Sequence, residues 1–221
     1  MPHSDPDPIT ADIVLQAYSL GLFPMSESAS DPSLFWVEPR IRGLIPLDGF
    51  HLSKSLRQTI RSGIFTVSID QDFDAVIGAC ASTRKDTWIN PRIRALFGEL
   101  FERGMVHTVE CRQNGRLVGG LYGLSIGAVF FGESMFHTVT DASKTALAYL
   151  VARLIVGGYR LLDTQFVTPH LASLGAIEMN HISYRGILRN ALDQTGDFHA
   201  LGRDIAETPD DVIRIILQAR A

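Results

Sequence analysis

The chain has 221 residues, and its 20 Lys and Arg against 24 Asp and Glu give a net charge of −4. Hydrophobic residues make up 46% of it and charged residues 20%, which excludes a disordered, fibrous or generally basic protein. Cys80 and Cys111 form no CxxC pair, so neither a structural zinc site nor a disulfide scaffold is expected. The sequence has neither a bilayer-length apolar run nor a secretory signal at residues 1–12, which predicts a soluble cytoplasmic protein with no membrane partner.

The first half of the chain is predicted to be mainly helical. Residues 1–8 are expected to form a loose tail, and residues 26–34, rich in Ser, Asp and Pro, a loop. Alternating apolar and polar residues predict a strand over 65–69. Helices are expected to begin after four capping residues, namely Thr10, Ser53, Asp72 and Asn90, the last of which is followed by a proline.

The second half is predicted to start with an antiparallel meander. Asn114-Gly115 favours a tight hairpin between strands at 105–112 and 116–124. Further strands are predicted at 128–135, 160–167 and 176–183, and helices at 143–156, 184–194 and 208–220. This order predicts an α+β protein, with a small N-terminal α/β domain over 1–104. A GNAT-type acyltransferase domain with a mixed, mainly antiparallel sheet is expected over 105–221.

Three kinds of site that the sequence suggests at first sight are not favoured, namely a serine nucleophile, a coenzyme A site and a metal site. Residues 123–127 match GxSxG, but a strand-like run follows where a nucleophile elbow needs a helix, so a chance match is favoured. The loop opening the long helix, residues 137–144, has no glycine, which argues against a coenzyme A pyrophosphate site. The seven histidines show no HxxxH or HExxH spacing, so no metal site is expected.

Two carboxylates stand inside apolar strands. Glu133 and Asp163 would be costly to bury unless they bind a cation or move protons. Gln165, two residues after Asp163, is predicted to share its strand face, where a carboxylate and an amide could position an amine and accept its proton. A strand-end Asp and an outward-facing Glu remain the alternative. The apolar residues nearby in sequence, such as Trp88 and Met135, fit either a core or a ligand pocket.

At these residues the chain resembles the leucyl/phenylalanyl-tRNA–protein transferases, over roughly residues 11–195. The most specific stretches are 117–123 (LVGGLYG) and 131–136 (FGESMF), followed by Asp163 and Gln165. Further blocks that carry the resemblance are 18–24, Trp36, 51–57, 87–89, 107–110, 142–144, His170 and 173–176. The resemblance implies transfer of Leu or Phe, and also Met, from aminoacyl-tRNA to the α-amino group of proteins that begin with Arg or Lys. The product would carry an N-degron for proteolysis.

The resemblance also implies roles for individual residues. Asp163 with Gln165 would orient the attacking amine and help remove its proton, and Glu133 would hold the α-ammonium of the esterified amino acid. Trp88 would pack the terminal adenosine. No metal or organic cofactor is implied, because the tRNA ester is already activated, and a monomer is expected. The implied apolar pocket consists of Leu121, Phe130, Met135, Leu147, Leu150 and Leu154, and the implied tRNA contacts are Arg84, Lys85, Arg92 and Arg94.

The sequence departs from the family pattern in the pocket. Leu150, Leu154 and Val156 stand where other members carry Phe, Phe and Ser, which leaves the preference among Leu, Phe and Met open. Two other classes of function remain as alternatives. One is another GNAT-type acyl or aminoacyl transferase, and the other is a non-catalytic module that binds tRNA or protein N-termini.

Overall fold

The computed structural model describes residues 9–83, 87–202 and 208–220. The helices in these ranges are α1 (Ala11–Ser19), α2 (Lys54–Arg61), α3 (Phe73–Ser82), α4 (Pro91–Glu102), α5 (Ala142–Val156), α6 (Pro169–Ser173), α7 (His181–Leu192) and α8 (Pro209–Ala219). The strands are β1 (Phe23–Met25), β2 (Phe35–Val37), β3 (Ile41–Ile45), β4 (Thr66–Ile69), β5 (Val106–Gln113), β6 (Arg116–Ile126), β7 (Val129–His137), β8 (Leu161–Gln165) and β9 (Ile177–Asn180).

Seven of these strands form one sheet in the order β4-β5-β6-β7-β8-β3-β9. Only β7 and β8 are parallel, joined through α5, and the other neighbours are antiparallel. The predicted α+β class with a mixed, mainly antiparallel sheet is therefore confirmed. β1 and β2 form a separate two-stranded sheet. The large sheet takes β3 and β4 from before residue 104 and the other five strands from after it, and a domain boundary at residue 104 stays a prediction.

Local sequence signals account for the turns and helix starts. Asn114 and Gly115 both have positive φ, 51° and 76°, as a two-residue hairpin turn requires, and they join β5 to β6. At the starts of α1, α2, α3 and α4 a side-chain oxygen accepts the backbone N–H three residues on, which satisfies one otherwise unpaired donor. The four residues that cap in this way are the predicted ones, Thr10, Ser53, Asp72 and Asn90.

Three strands were not predicted, namely β1, β2 and β3. β3 reads Ile-Arg-Gly-Leu-Ile, and its residues 42–45 are all buried, so both of its faces are covered and it does not show the alternation of a half-exposed strand. The GxSxG match lies at the end of β6 and in the turn to β7, and the hydroxyl of Ser125 is hydrogen-bonded to that of Tyr159 at 2.6 Å. This strand–turn–strand geometry is not a nucleophile elbow, as the sequence indicated.

Helices cover both faces of the sheet. α2, α5 and α8 pack on one face, and α1, α3, α4 and α7 on the other, each over its own apolar core. α5 is buried along nearly its whole length because it lies between the sheet and α8. Among the described residues, no helix combines the length and apolar character that a membrane span needs.

Candidate active site

The candidate site lies where β7 and β8 separate. The two parallel strands pair only from Val129 to Phe131 and from Leu161 to Asp163. Beyond these residues β7 stays beside β6 as far as His137, whereas β8 ends at Gln165. The separation opens a cleft in the middle of a sheet that is otherwise continuous.

A β-bulge places Glu133 at this cleft. Tyr122 and Gly123 are adjacent on β6, but their partners on β7 are Ser134 and Gly132, so Glu133 is the extra residue. A bulge bends its strand and redirects the extra side chain, and bulges are frequent beside active sites. The side chain of Glu133 is thereby turned toward the end of β8.

A second bulge shapes the other wall. Asp163 and Gln165 pair with the adjacent residues Leu44 and Gly43 of β3, which leaves Thr164 as the extra residue of β8. Gly43 is required here, since an added Cβ would lie 2.6 Å from the carbonyl carbon of Phe166. Gln165 has a φ of 57°, which is uncommon outside glycine, and its side chain turns into the cleft.

The cleft contains a cavity of about 450 Å³ whose walls are mainly apolar. Seven residues to which the sequence analysis assigned a role in the site line it: Glu133, Gln165, Trp88, Leu121, Met135, Leu147 and Leu150. Other lining residues include Phe23, Met25, Tyr122, Leu162, Phe166 and His170. The polar Glu133 and Gln165 thus lie against an apolar chamber large enough for an amino-acid side chain.

Glu133 and Gln165 form the polar centre of the cavity. Nε2 of Gln165 donates to Oε1 of Glu133 at 3.0 Å, and the hydroxyl of Tyr18, on α1, faces the same carboxyl group. Burial raises the pKa of Glu133 to about 8, with a further increase from the charge of Asp163, although the nearby Tyr18 hydroxyl, the charge of Arg42 and the hydrogen bond from Gln165 oppose it. Burial thus favours the neutral form of the Glu133 carboxyl group at pH 7.

Asp163 is not among the residues that line the cavity. Its carboxylate is fully buried, and its two oxygens share the Nε–H of Arg42 at 2.9 Å each, with Nη2 of Arg42 2.8 Å from Oδ2. The hydroxyl of Tyr184 and the backbone N–H of Gln165 donate to the same carboxylate. Burial, and then the charge of Asp163, raises the pKa of Tyr184 above its ordinary range, which keeps this phenol protonated. Asp163 thus fixes the backbone that carries Gln165.

Phe130 and Leu154 were predicted to line the pocket, but both lie in the apolar core and neither lines the cavity. Phe130 is fully buried and pairs with Leu162 in the part of the sheet where β7 and β8 are still joined. Its ring packs on Phe198 at a centroid distance of 5.6 Å. Leu154 is one helical turn beyond Leu150 on α5, and it lies in the core rather than at the cavity.

Two family models match most of this chain. The family model described as leucyl/phenylalanyl-tRNA protein transferase matches residues 44–189, and the model of that family's N-terminal domain matches residues 7–40. The chain belongs to the leucyl/phenylalanyl-tRNA protein transferase family. The curated relative from Rhodopseudomonas palustris (strain TIE-1), named leucyl/phenylalanyl-tRNA–protein transferase, is 55% identical over 94% of each chain. A relative of the same name from Paramagnetospirillum magneticum is 54% identical over 86% of this chain and 93% of its own.

Similarity to solved structures is weaker. The structure of L-PGS from Bacillus licheniformis matches 95% of this chain and 70% of its own with a TM-score of 0.40 and 10% identity. Similarity at this level does not establish a shared fold.

Two histidines, His137 and His170, line the cavity of this transferase-family chain. Lys144 lies near His170, and its Nζ is 2.8 Å from Oδ1 of Asp141. Burial, then the charges of Lys144 and His137, lowers the pKa of His170, so its imidazole is neutral at pH 7. Of the residues implied to contact tRNA, Arg92 and Arg94 lie at the start of α4, four and six residues after Trp88. Arg94 is exposed and Arg92 partly so. Arg84 and Lys85 fall outside the described residues.

Several residues of the transferase site were missed by reasoning from the sequence. Arg42 and Tyr184 hold the carboxylate of Asp163, and the hydroxyl of Tyr18 faces Glu133, yet all three are distant from these carboxylates in the chain. The available signal was Arg42 itself, a charged residue inside the apolar run 41–45. In the fold Arg42 is 1% exposed, and its buried charge is paired with Asp163.

Proposed function

We propose that this protein transfers Leu, Phe or Met from aminoacyl-tRNA to the α-amino group of proteins that begin with Arg or Lys, which creates an N-degron for proteolysis. The observation that carries this proposal is the Glu133–Gln165 pair at the polar centre of an apolar cavity bordered by Trp88. The donor has an apolar side chain, an α-ammonium and a terminal adenosine, and the cavity offers one feature for each of these groups.

Donor binding follows from the walls of the cavity. Leu121, Leu147 and Leu150 would contact the apolar side chain of the amino acid. An apolar wall separates similar apolar side chains by only about 1–3 kcal/mol per methylene, which accounts for a donor range of Leu, Phe and Met. Glu133 would ionise on contact with the α-ammonium. Trp88 would stack on the adenine, an interaction worth about 1–3 kcal/mol.

The transfer itself needs an oriented and uncharged amine. The α-amino nitrogen of the acceptor attacks the ester carbonyl carbon, a C–N bond forms, and the C–O bond to the tRNA ribose breaks. The amine proton passes to the departing ribose oxygen, so atoms and charge balance without a metal or an organic cofactor. Because Nε2 of Gln165 already donates to Glu133, we assign its carbonyl oxygen to accept a hydrogen bond from the amine.

Asp163 acts on this reaction through Gln165. Its carboxylate accepts the backbone N–H of Gln165 at 2.8 Å and is held in turn by Arg42 and Tyr184. This arrangement supports a positioning role, in which Asp163 keeps Gln165 at its positive φ beside Glu133. Direct contact between Asp163 and the amine, as the family resemblance implied, is not part of the proposed mechanism.

The tRNA body would extend from Trp88 along the start of α4. Arg92 and Arg94 lie on that side, and we retain Arg84 and Lys85 from the sequence as further phosphate contacts. Phosphate contacts would be salt-dependent and would not select a base sequence. We also propose a GNAT-type arrangement of the catalytic half, supported by the separating parallel pair β7–β8 joined through α5. We propose that the protein acts as a monomer in the cytoplasm, where charged tRNA is found.

Transfer of labelled leucine from charged tRNA to three peptides, beginning with Arg, Lys or Ala and otherwise identical, tests the proposal. Label is expected on the Arg and Lys peptides and not on the Ala peptide. Acetyl-coenzyme A replaces the charged tRNA in a parallel reaction. Acetylation of the peptides would instead support another GNAT-type transferase. Binding of tRNA without any transfer would support a non-catalytic module.

A further inference from the structure

A second group of polar side chains lies at the far edge of the sheet. Asp70 follows the end of β4, His107 lies on β5, and His199 belongs to the segment after α7. One ligand atom from each of the three residues lies within 4.8 Å of the other two. None of the three lines the cavity that contains Glu133 and Gln165. We propose that Asp70, His107 and His199 bind one Zn²⁺ ion, with water from the adjoining groove as the fourth ligand.

Two of the three separations between ligand atoms are close to those of a tetrahedral ion, and the ligand atoms of His107 and His199 lie within 4.8 Å of each other. Oδ2 of Asp70 lies 2.8 Å from Nδ1 of His107 and 3.7 Å from Nε2 of His199. With Zn–ligand bonds of about 2.0–2.1 Å, a regular tetrahedral site separates its ligand atoms by about 3.3 Å. The ion therefore requires the Asp70–His107 contact to widen by about half an ångström, while the Asp70–His199 contact shortens slightly. Two imidazoles and one carboxylate are ligands that Zn²⁺ commonly takes.

Surrounding groups already orient the ligands. Oδ1 of Asp70 accepts the backbone N–H of Thr108 at 2.7 Å, which turns Oδ2 toward the two imidazoles. The ring of His107 is stacked on Phe198, with centroids 3.8 Å apart and an interplanar angle of 11°. Asp70 is held at a φ of 55°, a conformation that is uncommon outside glycine. Outer hydrogen bonds and packing of this kind usually accompany metal ligands in proteins.

The third ligand, His199, lies in the segment 196–202, which hydrogen bonds hold beside the sheet. Nη1 of Arg153 donates to the carbonyl oxygens of Phe198 and Gly202 at 2.9 and 2.8 Å, and Asp197 donates its backbone N–H to Gly157. A groove of about 420 Å³ opens next to the three ligands and gives an ion access from solvent. A bound ion would fasten residues 196–202 to β4 and β5, so metal binding should stabilise the folded chain.

Spacing along the sequence could not reveal this site. His107 is 37 residues from Asp70 and 92 residues before His199. Metal-binding patterns in sequences depend on ligands that lie on one helix or one loop, whereas these three come from separate segments.

The experiment uses the full chain after removal of metal by a chelator. Isothermal titration with ZnCl₂ should give one site per chain. Thermal denaturation should show a rise in Tm of about 5–10 °C when free Zn²⁺ is 100 times its Kd. Asp70→Asn and His199→Ala should both abolish the saturable site and the rise in Tm. Asn tolerates the positive φ of residue 70, and His199 is partly exposed, so both variants should fold.

His51→Ala is the matched control, because it removes one exposed histidine outside the cluster and should keep both the site and the rise in Tm. Co²⁺ in place of Zn²⁺ should give the intense visible absorption of a tetrahedral ion. No binding by the wild-type chain would overturn the proposal. So would a rise in Tm that survives in Asp70→Asn and His199→Ala, since the metal would then be bound elsewhere.

Discussion

Replacing Glu133 with glutamine should stabilise the protein at neutral pH. Glutamine keeps the shape of the side chain and an oxygen that accepts the hydrogen bond from Gln165. It removes the ionisation of the side chain. Burial makes this ionisation unfavourable and raises the pKa of Glu133 to about 8 from an ordinary value of 4.5. The folded protein therefore retains a proton that the unfolded chain releases between these two values.

The sign and size of the effect follow from this proton. The stabilisation from neutral Glu133 is fully present below pH 4.5 and is lost as the pH rises through 8. One bound proton changes the free energy of unfolding by about 1.4 kcal/mol per pH unit. At pH 7 the free energy of unfolding of the wild type should therefore be about 3 kcal/mol lower than that of Glu133→Gln. At pH 4.5 the two free energies should be nearly equal.

Urea denaturation of both proteins at pH 5, 6, 7 and 8 measures this difference, because groups common to the two proteins cancel. The gap should widen steadily with pH. A gap that stays constant over this range would refute the reasoning, since Glu133 would then ionise as readily in the folded protein as in the unfolded chain.

Three further predictions concern the neighbours of Glu133 and the tRNA surface. Asp163→Ala leaves the guanidinium of Arg42 buried and without its carboxylate, so it should cost about 3–5 kcal/mol in urea denaturation and lower the rate of transfer. Arg92→Ala and Arg94→Ala should each reduce the slope of log Kd for tRNA against log salt concentration by about one. Leu150→Phe narrows the cavity, so it should lower kcat/KM for Phe-tRNA relative to Leu-tRNA by about tenfold.

Each of these predictions has a control and an outcome that contradicts it. Asp210→Ala breaks an exposed ion pair with Arg61 and should lower the free energy of unfolding by less than about 1 kcal/mol. An equally small loss in Asp163→Ala would contradict the predicted cost of leaving Arg42 buried without a partner. Arg61→Ala should leave the salt slope unchanged, and a loss as large as that of Arg92→Ala would point to a general charge effect. An unchanged ratio of donors in Leu150→Phe would show that this wall does not contact the amino-acid side chain.

Local signals in the sequence were sufficient where structure is set by neighbouring residues. The turn at Asn114-Gly115 and the cap at Asn90 depend on residues within three positions of each other, and both occur as predicted. β3 could not be found in this way. The successive residues Arg42 to Ile45 are all buried, so both faces of β3 are covered and the alternating pattern that identifies a half-exposed strand is missing. The two strands that pair with it also come more than a hundred residues later in the chain.

The candidate site was predictable as a set of residue types but not as an arrangement. Glu133 and Gln165 could be chosen because burying a polar group in an apolar strand costs free energy unless the group has a partner. The alternation of side chains along a strand predicted that Asp163 and Gln165 share one face. The extra residue Thr164 and the positive φ of Gln165 interrupt this alternation. Only long-range pairing shows that Asp163 bonds to Arg42 while Gln165 enters the cavity.

The proposed contact between Glu133 and the α-ammonium of the donor can be measured directly. Single-turnover transfer to an Arg peptide is compared for Leu-tRNA and for a tRNA whose leucyl group carries a hydroxyl in place of the α-amino group. The wild type should prefer Leu-tRNA by about 100-fold, and Glu133→Gln should lose this preference without slowing the hydroxyl donor further. A preference that persists in Glu133→Gln would contradict the proposed role of Glu133 and require another group to bind the ammonium.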